Sequence, residues 1–172
     1  MKIYIILLLS IFSLNLNALS IGKVPKHVTI SDENGGLVKD ATPWNSATLK
    51  DKVLVMFYVD PDEKDLNDAF SQALKQKKYD RANYGSLAII NLAATWKPNF
   101  IISSILKSKQ EEFPDTIYVK DKNKILVKEW KIADDNSDII IFAKDGKVLF
   151  HKDGQMQDED IKNALKIIEE NL

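Results

Sequence analysis

VLVMFYVDPDEK, residues 53–64, is the stretch of this chain that decides its fold. Its first seven residues are all apolar, which is typical of a central parallel strand that is covered on both faces. The next residues predict a helix start, with Asp60 as N-cap, Pro61 at the first helical position and Glu63 closing a capping box. Apolar residues then recur at helical spacing, at Leu66, Ala69, Phe70, Ala73 and Leu74. We therefore predict a strand that is followed directly by a helix lying on the sheet.

The first 18 residues have the three parts of a secretory signal peptide. Lys2 gives a charged start, residues 3–14 are apolar apart from two serines, and Ala18 is a small residue at the cleavage position. A membrane anchor is the alternative, but a bilayer span requires about 18 or more apolar residues and this centre is shorter. We predict cleavage after Ala18, with Ser20 as the second choice, a mature domain of residues 19–172 and a periplasmic location.

The composition excludes several classes of function. The chain has 172 residues, which suits one domain with a full core, and it contains no cysteine. Disulfide bonds and attachment of a lipid to an amino-terminal cysteine are therefore excluded. Its 24 basic and 25 acidic residues are mixed and give a net charge of −1. Nucleic-acid binding needs a clustered basic face, so we expect no such partner, and no residue pattern predicts a cofactor.

The amino-terminal half predicts a hairpin, a core segment and a second buried strand. Residues 28–38 alternate in polarity around Asn34–Gly36, which predicts a hairpin with its turn at the two glycines. Trp44 and Leu49 are expected to fill the core below this segment. Residues 87–92 form another short apolar run, which predicts a parallel strand beside the first one.

The carboxyl-terminal half predicts a helix, a strand pair, a hairpin and a last helix. Pro98 fits the first turn of the helix, and its apolar face is expected at Phe100, Ile101, Ile105 and Leu106. Residues 116–119 and 125–127 are predicted to pair as strands. Residues 139–150 contain an Asp-Gly turn between two apolar runs, which is a strong hairpin signal. Residues 158–168 predict a helix with an acidic first turn.

Short motifs spread over the chain after the leader carry a resemblance to a known family. They are Gly22-Lys23-Val24-Pro25, Trp44-Asn45-Ser46-Ala47 with Leu49 and Lys52-Val53, Asp80-Arg81, Ile90-Asn91, Lys144-Asp145-Gly146-Lys147-Val148 and Lys152-Asp153-Gly154. With these motifs the chain resembles the YtfJ family of periplasmic bacterial proteins. Its order of elements resembles the thioredoxin-like fold in the peroxiredoxin or cytochrome-maturation layout, a three-layer α/β/α sandwich around a mixed sheet. The resemblance implies this fold and a periplasmic address, and it implies no settled biochemical activity.

The residues that redox-active thioredoxin relatives use are absent. Those proteins carry Cys-x-x-Cys just after the central strand, where the start of a helix lowers the pKa of the thiol. That position falls on Asp62-Glu63-Lys64-Asp65, so carboxylates replace both thiols. The relatives also place a cis-proline before the hairpin strand, where this chain has Ser137-Asp138. Cysteine-based redox catalysis, thiol exchange and peroxide reduction are therefore excluded, and we predict that the protein is not an enzyme.

Five residues are the candidate binding residues of this sequence: Asp62, Asp65, Arg81, Trp96 and Asp138. The acidic residues could equally be a solvated helix start, and Trp96 could simply pack in a turn. Arg81 is the only arginine, and its planar fork suits a carboxylate or several backbone carbonyls, although chance retention of one arginine is the alternative.

Two hypotheses of function follow from these residues. The first is an exported, non-redox protein that binds an envelope protein or peptide with the face that redox relatives use for substrates. The second is an enzyme that uses the acidic stretch Asp60–Asp65, by carboxylate-assisted or metal-assisted hydrolysis. The spacing of these acids does not match a calcium loop, and the two histidines are not in a zinc-binding spacing, so no metal ligand is predicted.

Overall fold

The computed structural model describes residues 18–172, so the predicted signal peptide, apart from Ala18, lies outside the described residues. The strands are β1 (Thr29–Ile30), β2 (Gly35–Leu37), β3 (Trp44–Asn45), β4 (Val53–Val59), β5 (Tyr84–Asn91), β6 (Thr116–Asp121), β7 (Ser137–Phe142) and β8 (Val148–Asp153). The α-helices are α1 (Asp68–Lys77), α2 (Asn99–Glu112), α3 (Ile125–Trp130) and α4 (Asp158–Asn171). None of the helices described here is both long and apolar enough to cross a membrane.

Six strands form one mixed sheet in the order β2-β6-β5-β4-β7-β8. The apolar strand β4 lies inside this sheet, parallel to β5 on one side and antiparallel to β7 on the other. β6 extends the sheet in parallel beyond β5, and β7 and β8 form the hairpin expected around the Asp-Gly turn. The prediction of a central strand at Val53–Val59 is therefore confirmed.

The side chains of β4 alternate between the two faces of the sheet, and each face packs against a different layer. Val53 and Val55 lie in the cluster under α1 and α4, and Val59 lies in the cluster under α2. Met56 faces the other way and packs with Trp130 of α3 and with the small antiparallel pair β1–β3. The sheet is thus covered on both sides, as the unbroken apolar run of β4 requires.

The predicted helix start at Asp60 is wrong, because α1 begins only at Asp68. The backbone N–H of Asp60 instead donates to the carbonyl oxygen of Asn136 at 2.9 Å, and successive i to i+3 turns carry the chain to α1. The carboxylate of Asp60 accepts the backbone N–H of Asp62 at 2.8 Å. Aspartate side chains compete for backbone N–H groups in this way and so disfavour a helix. The segment that replaces Cys-x-x-Cys therefore lies on a loop.

The predicted turn at Asn34–Gly36 is also wrong. Gly35 and Gly36 lie in β2, which pairs with β6 at the edge of the main sheet, while β1 pairs with β3. Gly35 has a φ of 125°, and a Cβ at this position would lie 1.8 Å from the carbonyl oxygen of Lys120. The glycine is therefore required for the close approach of two strands, not for a hairpin turn.

Residues 125–127, which were predicted to be a strand, are the start of helix α3. The carboxylate of Asp121, the last residue of β6, accepts hydrogen bonds from the backbone N–H groups of Ile125 and Leu126 at 2.9 and 3.2 Å. These bonds satisfy donors that the first turn of a helix leaves free. The helix then buries Leu126 and Trp130 against the sheet, so the apolar residues serve a helix here.

The predictions for the core residues Trp44 and Leu49 and for the last helix are confirmed. Of the predicted apolar stripe of α1, Phe70 and Leu74 are buried, whereas Leu66 precedes the helix and Ala69 is exposed. Trp44 and Leu49 are buried below the amino-terminal segment. Helix α4 begins with three acidic residues and buries Ala164 and Ile168. The carboxylate of Asp160 accepts the backbone N–H of Gln157 at 2.9 Å, so the acidic first turn also caps the helix.

Candidate functional site

The carboxyl ends of the parallel strands β4, β5 and β6 lie on the same side of the sheet as the start of β7, and we call this side the carboxyl end. All the polar or charged side chains that are buried in the described part of the chain lie at this end, namely Asp60, Asn67, Asn91, Asp121, Ser137 and Asp138. Open α/β sheets bind their ligands outside the carboxyl ends of their strands. The carboxyl end is therefore the expected location of a functional site.

Asn67 fastens the loop between β4 and α1 to the rest of the carboxyl end. Its side-chain amide donates to the hydroxyl oxygen of Ser137 and to the carbonyl oxygen of Gly154, both at 3.2 Å. Its side-chain oxygen accepts the backbone N–H of Met156 at 2.9 Å. One buried side chain thus joins the loop to β7 and to the segment that enters α4.

Asp62 is exposed on this loop and contacts the turn that follows β5. Its carboxylate forms an ion pair with Lys97 and accepts the hydroxyl of Thr95 at 2.7 Å. The hydrogen bond from Lys97, followed by the one from Thr95, holds the pKa of Asp62 below its usual range. Such a carboxylate is a poor proton donor near neutral pH. Asp65 is exposed on the same loop and pairs with its neighbour Lys64.

Asp138 is fully buried at the start of β7, where it faces Tyr58 across the β4–β7 pair. One of its carboxylate oxygens lies 2.9 Å from Nε2 of His151, and the other has no hydrogen-bond partner among residues 18–172. Burial raises the pKa of Asp138, and the contact with His151 offsets this rise only in part. The structure therefore places this candidate binding residue inside the protein.

Asp121 is a second buried acid at the carboxyl end. It accepts the hydroxyl of Tyr58 at 3.1 Å in addition to the N–H groups of α3. Burial raises the pKa of Asp121 even though these hydrogen bonds favour the charged form. Nearby, Asn91 donates to Asp134 at 3.0 Å, and Asp134 also pairs with Lys124. These polar side chains have hydrogen-bond or ion-pair partners within the protein. Their main role is therefore to hold the ends of the strands together.

An exposed apolar surface begins beside Asp62 and continues along α2. Its members and their exposed fractions are Trp96 at 87%, Phe100 at 74%, Ile105 at 52% and Ile101 at 42%. Trp96 stands between the two residues that bond to Asp62, and the other three share the outer face of the helix by their spacing. The surface therefore adjoins the loop that replaces the redox motif.

The predicted apolar face of α2 is wrong for Phe100, Ile101 and Ile105. The helix buries Leu106, as predicted, together with Ile102, and these two residues pack under the carboxyl ends of β4 and β5. Pro98 precedes the helix as its N-cap residue and is not inside its first turn. The helix therefore has apolar residues on two faces, and only one of these faces is used by the core.

Arg81 lies apart from the other candidate residues, next to the amino ends of β4 and β5. Its guanidinium carbon lies 5.4 Å from the centre of the Tyr84 ring, and Tyr84 is the first residue of β5. Its nearest acidic partner is Asp115, with 3.9 Å between Nε and a carboxylate oxygen. The structure thus brings Asp62, Asp65 and Trp96 to one end of the sheet and Arg81 to the other.

The carboxyl end offers no arrangement of ligands for a metal ion. Within residues 18–172, no group of three or more histidine, cysteine, aspartate or glutamate residues is placed to hold one. Over the same range no peptide bond is cis, so the strand β7 starts without the cis-proline geometry of redox relatives. The metal-assisted form of the enzyme hypothesis therefore finds no ligand set here.

Sequence reasoning does not identify Asn67, Asn91, Asp121 or His151 as residues of this end. A polar residue directly after an apolar run is a usable signal for two of them, because Asn91 and Asp121 close β5 and β6. Asn67 and His151 carry no such signal. Their roles depend on contacts with residues far away in sequence.

Comparison with known proteins agrees with the fold and the motifs. Residues 23–171 match the model of a family described as bacterial proteins of unknown function, YtfJ_HI0045. The chain belongs to the YtfJ family. It is 26% identical to the uncharacterized protein YtfJ of Escherichia coli (strain K12) over 132 residues, which are 75% of this chain and 72% of that protein. It is 29% identical to an uncharacterized protein of Haemophilus influenzae over 130 residues, which are 73% of this chain and 70% of the relative.

Solved structures confirm the thioredoxin-like fold of this YtfJ member. A thiol-disulfide isomerase from Corynebacterium glutamicum superimposes with a TM-score of 0.56, over 77% of this chain and 90% of the isomerase. The two sequences are only 16% identical, so the likeness concerns the fold alone. The YtfJ chain keeps this fold without any cysteine.

Proposed function

We propose that this YtfJ member is an exported, non-redox binding protein of the cell envelope. Its docking surface consists of Trp96, Phe100, Ile101 and Ile105 together with the loop of residues 60–65. The partner is the apolar segment of another envelope protein. The export itself rests on the signal peptide predicted for residues 1–18.

The observation that carries this proposal is the exposed apolar surface on α2. Soluble proteins rarely expose several large apolar side chains side by side unless another molecule covers them. Aromatic residues such as Trp96 and Phe100 are also enriched at interfaces, and tryptophan is among the types that contribute most to binding energy. The surface begins at the carboxyl end of the sheet, and open α/β sheets bind their ligands outside the carboxyl ends of their strands.

The charges around this surface define the partner further. Glu63 is exposed on the adjoining loop, whereas Asp62 pairs with Lys97 and Asp65 pairs with Lys64. Opposite charges across the rim of an interface speed association and select the orientation. The expected partner segment therefore carries apolar residues for α2 and at least one lysine or arginine next to them.

Site-specific crosslinking in cells tests the docking surface. A photoreactive amino acid at Ser104, which is exposed among the apolar residues of α2, is expected to give a discrete adduct with one envelope protein. The same amino acid at Lys162, exposed on α4, is the control and is expected not to give it. The adduct from Ser104 should disappear when Phe100→Asp is added.

Purified components then give the affinity. Trp96→Ala is expected to weaken binding of the identified partner by at least about tenfold, because central aromatic residues dominate such interfaces. Circular dichroism of each variant checks that the fold is kept. Identical adducts from Ser104 and Lys162, or an unchanged affinity of Trp96→Ala, would remove the docking surface from consideration.

A further inference from the structure

A cleft of about 380 Å³ opens at the amino ends of the parallel strands, opposite to the docking surface. We call it the Arg81 cleft, and the residues of its wall that matter here are Lys50, Lys52, Arg81, Tyr84, Ser86 and Ile117. We propose that this cleft binds a small organic monocarboxylate with an apolar body. This site goes beyond the proposed function, since it shares no residue with the docking surface.

The geometry of Arg81 is the first argument. Its guanidinium lies over the ring of Tyr84, which fixes the side chain by a cation–π contact. Its only other contacts among the described residues are long, at 3.5 Å to the hydroxyl oxygen of Ser86 and 3.9 Å to a carboxylate oxygen of Asp115. The side chain is 49% exposed. A planar fork that is held in place but lacks a bidentate partner is suited to an incoming carboxylate.

The neighbouring cations are the second argument. Nζ of Lys52 donates to the backbone carbonyl oxygen of Arg81 at 2.5 Å, which holds a second positive charge in the wall of the same cleft. Lys50 lines the same cleft, and its acidic residues are Asp51 and Asp115. Three cations against two carboxylates leave one excess positive charge. This balance favours a ligand with a single negative charge over a dianion or a cation.

The apolar part of the wall defines the rest of the ligand. Leu54, Tyr84 and Ile117 line the cleft beside the charged groups, and Ile117 keeps much of its side chain exposed. The volume lies at the lower end of the range for small-molecule sites. A carboxylate on an aromatic ring or a short apolar chain uses both halves of this wall, with the carboxylate on Arg81 and the apolar body on Ile117.

A titration followed by NMR tests the Arg81 cleft. Benzoate is the probe, and the backbone amides of Gly85 and Ser86 report binding because both residues line the cleft. Acetate keeps the carboxylate without the ring, and benzyl alcohol keeps the ring without the charge. Benzoate is expected to shift these amides saturably, and both comparison compounds are expected to bind at least about tenfold more weakly.

Two variants separate the contribution of the guanidinium geometry from that of the positive charge and of the apolar wall. Arg81→Lys keeps one positive charge and is expected to weaken benzoate about tenfold, because a lysine cannot form the bidentate contact. Ile117→Ser is expected to weaken benzoate but not acetate. Lys75→Gln, on the exposed side of α1, is the control and should change nothing. Equal benzoate affinity in Arg81→Lys, or shifts that do not saturate, would overturn the proposal.

Discussion

The two ends of the parallel strands use polar side chains in opposite ways. At the carboxyl end, Asn67 and Asp121 are buried, and each forms hydrogen bonds with neighbouring groups of the protein. At the amino end, Lys50, Lys52 and Arg81 remain partly in water, and besides the Tyr84 ring the Arg81 side chain makes only long contacts with the described residues. One end of the sheet thus has its polar groups bonded internally, apart from one carboxylate oxygen of Asp138, while the other end presents charged groups to an open cleft.

This difference separates residues that hold the fold from residues that are free to bind. A buried polar group that loses its partner costs about 1–3 kcal/mol, so the network at the carboxyl end contributes to stability and is expensive to alter. An exposed cation contributes little to stability, because water and salt screen its interactions. Binding at the carboxyl end is therefore left to the apolar surface and the exposed loop, which lie outside the network.

Removal of the Asn67 side chain has the largest expected effect. Asn67→Ala leaves the hydroxyl of Ser137, the carbonyl of Gly154 and the N–H of Met156 without their partner. We expect a loss of about 3–5 kcal/mol in the free energy of unfolding, since each orphaned buried group costs about 1–3 kcal/mol. Urea denaturation followed by circular dichroism measures it.

Two control variants give this result its meaning. Arg81→Ala, at the amino end, is expected to lose less than about 1 kcal/mol, because the contacts of Arg81 are long and partly exposed. Asn163→Ala makes the same chemical change as Asn67→Ala on the exposed side of α4 and should stay within about 0.5 kcal/mol. If Arg81→Ala costs as much as Asn67→Ala, the two ends do not differ in the way described.

A pair of neighbours on α2 tests which face of the helix the core uses. Leu106 is 6% exposed and Ile105 is 52% exposed. Leu106→Ala is expected to lose about 2–4 kcal/mol of unfolding free energy through lost contacts and a cavity. Ile105→Ala is expected to lose less than about 1 kcal/mol. Comparable losses for both variants, in the same urea experiment, would mean that the outer face of α2 is covered and that no apolar docking surface exists.

Much of the fold could be predicted from the sequence, because local patterns decide it. The run at Val53–Val59 has no polar residue, and only a strand covered on both faces tolerates this, so its central position follows. The hairpin of β7 and β8 was equally predictable, since an Asp-Gly pair between apolar runs has one common solution. The thioredoxin-like topology then follows from the order of such elements along the chain.

The errors share a physical cause, which is contact between residues far apart in sequence. No residue near Asp60 in sequence indicates that its N–H donates to the carbonyl oxygen of Asn136. With this contact and the turns that follow it, α1 begins only at Asp68. The apolar residues of α2 satisfy a helical pattern on two faces, and only the packed sheet decides that Leu106 is buried and Phe100 is not. At the candidate site, Asp62 and Trp96 were predictable as neighbours of strand ends, whereas the burial of Asp138 was not.

The pH dependence of stability sharpens the contrast between buried and exposed acids. The pKa of Asp138 is raised in the folded protein, chiefly by burial. The contribution of Asp138 to stability is therefore largest below about pH 4, the pKa of an aspartate in the unfolded protein. It is lost as the pH rises through the raised pKa of Asp138 in the folded protein. Each unit of pKa difference corresponds to about 1.4 kcal/mol. Asp138→Asn removes this loss, so the variant should gain stability relative to wild type between pH 4 and 6.

For Asp62 we expect a pH dependence of stability with the opposite sign. Its pKa is lowered, first by Lys97 and then by Thr95, so its contribution is present above the unfolded pKa and fades as the pH falls. Asp62→Asn should therefore lose stability relative to wild type as the pH rises toward about 4 from below, and by less than Asp138→Asn gains above pH 4, because the group is exposed. Urea denaturation at about pH 3 and 4 measures the difference for Asp62→Asn, and the same experiment at about pH 4, 5 and 6 measures that for Asp138→Asn. If the difference in unfolding free energy between Asp138→Asn and wild type does not change from pH 4 to 6, burial does not raise the pKa of Asp138. Asp138 would then not be a buried acid of the carboxyl end that lowers the stability of the fold.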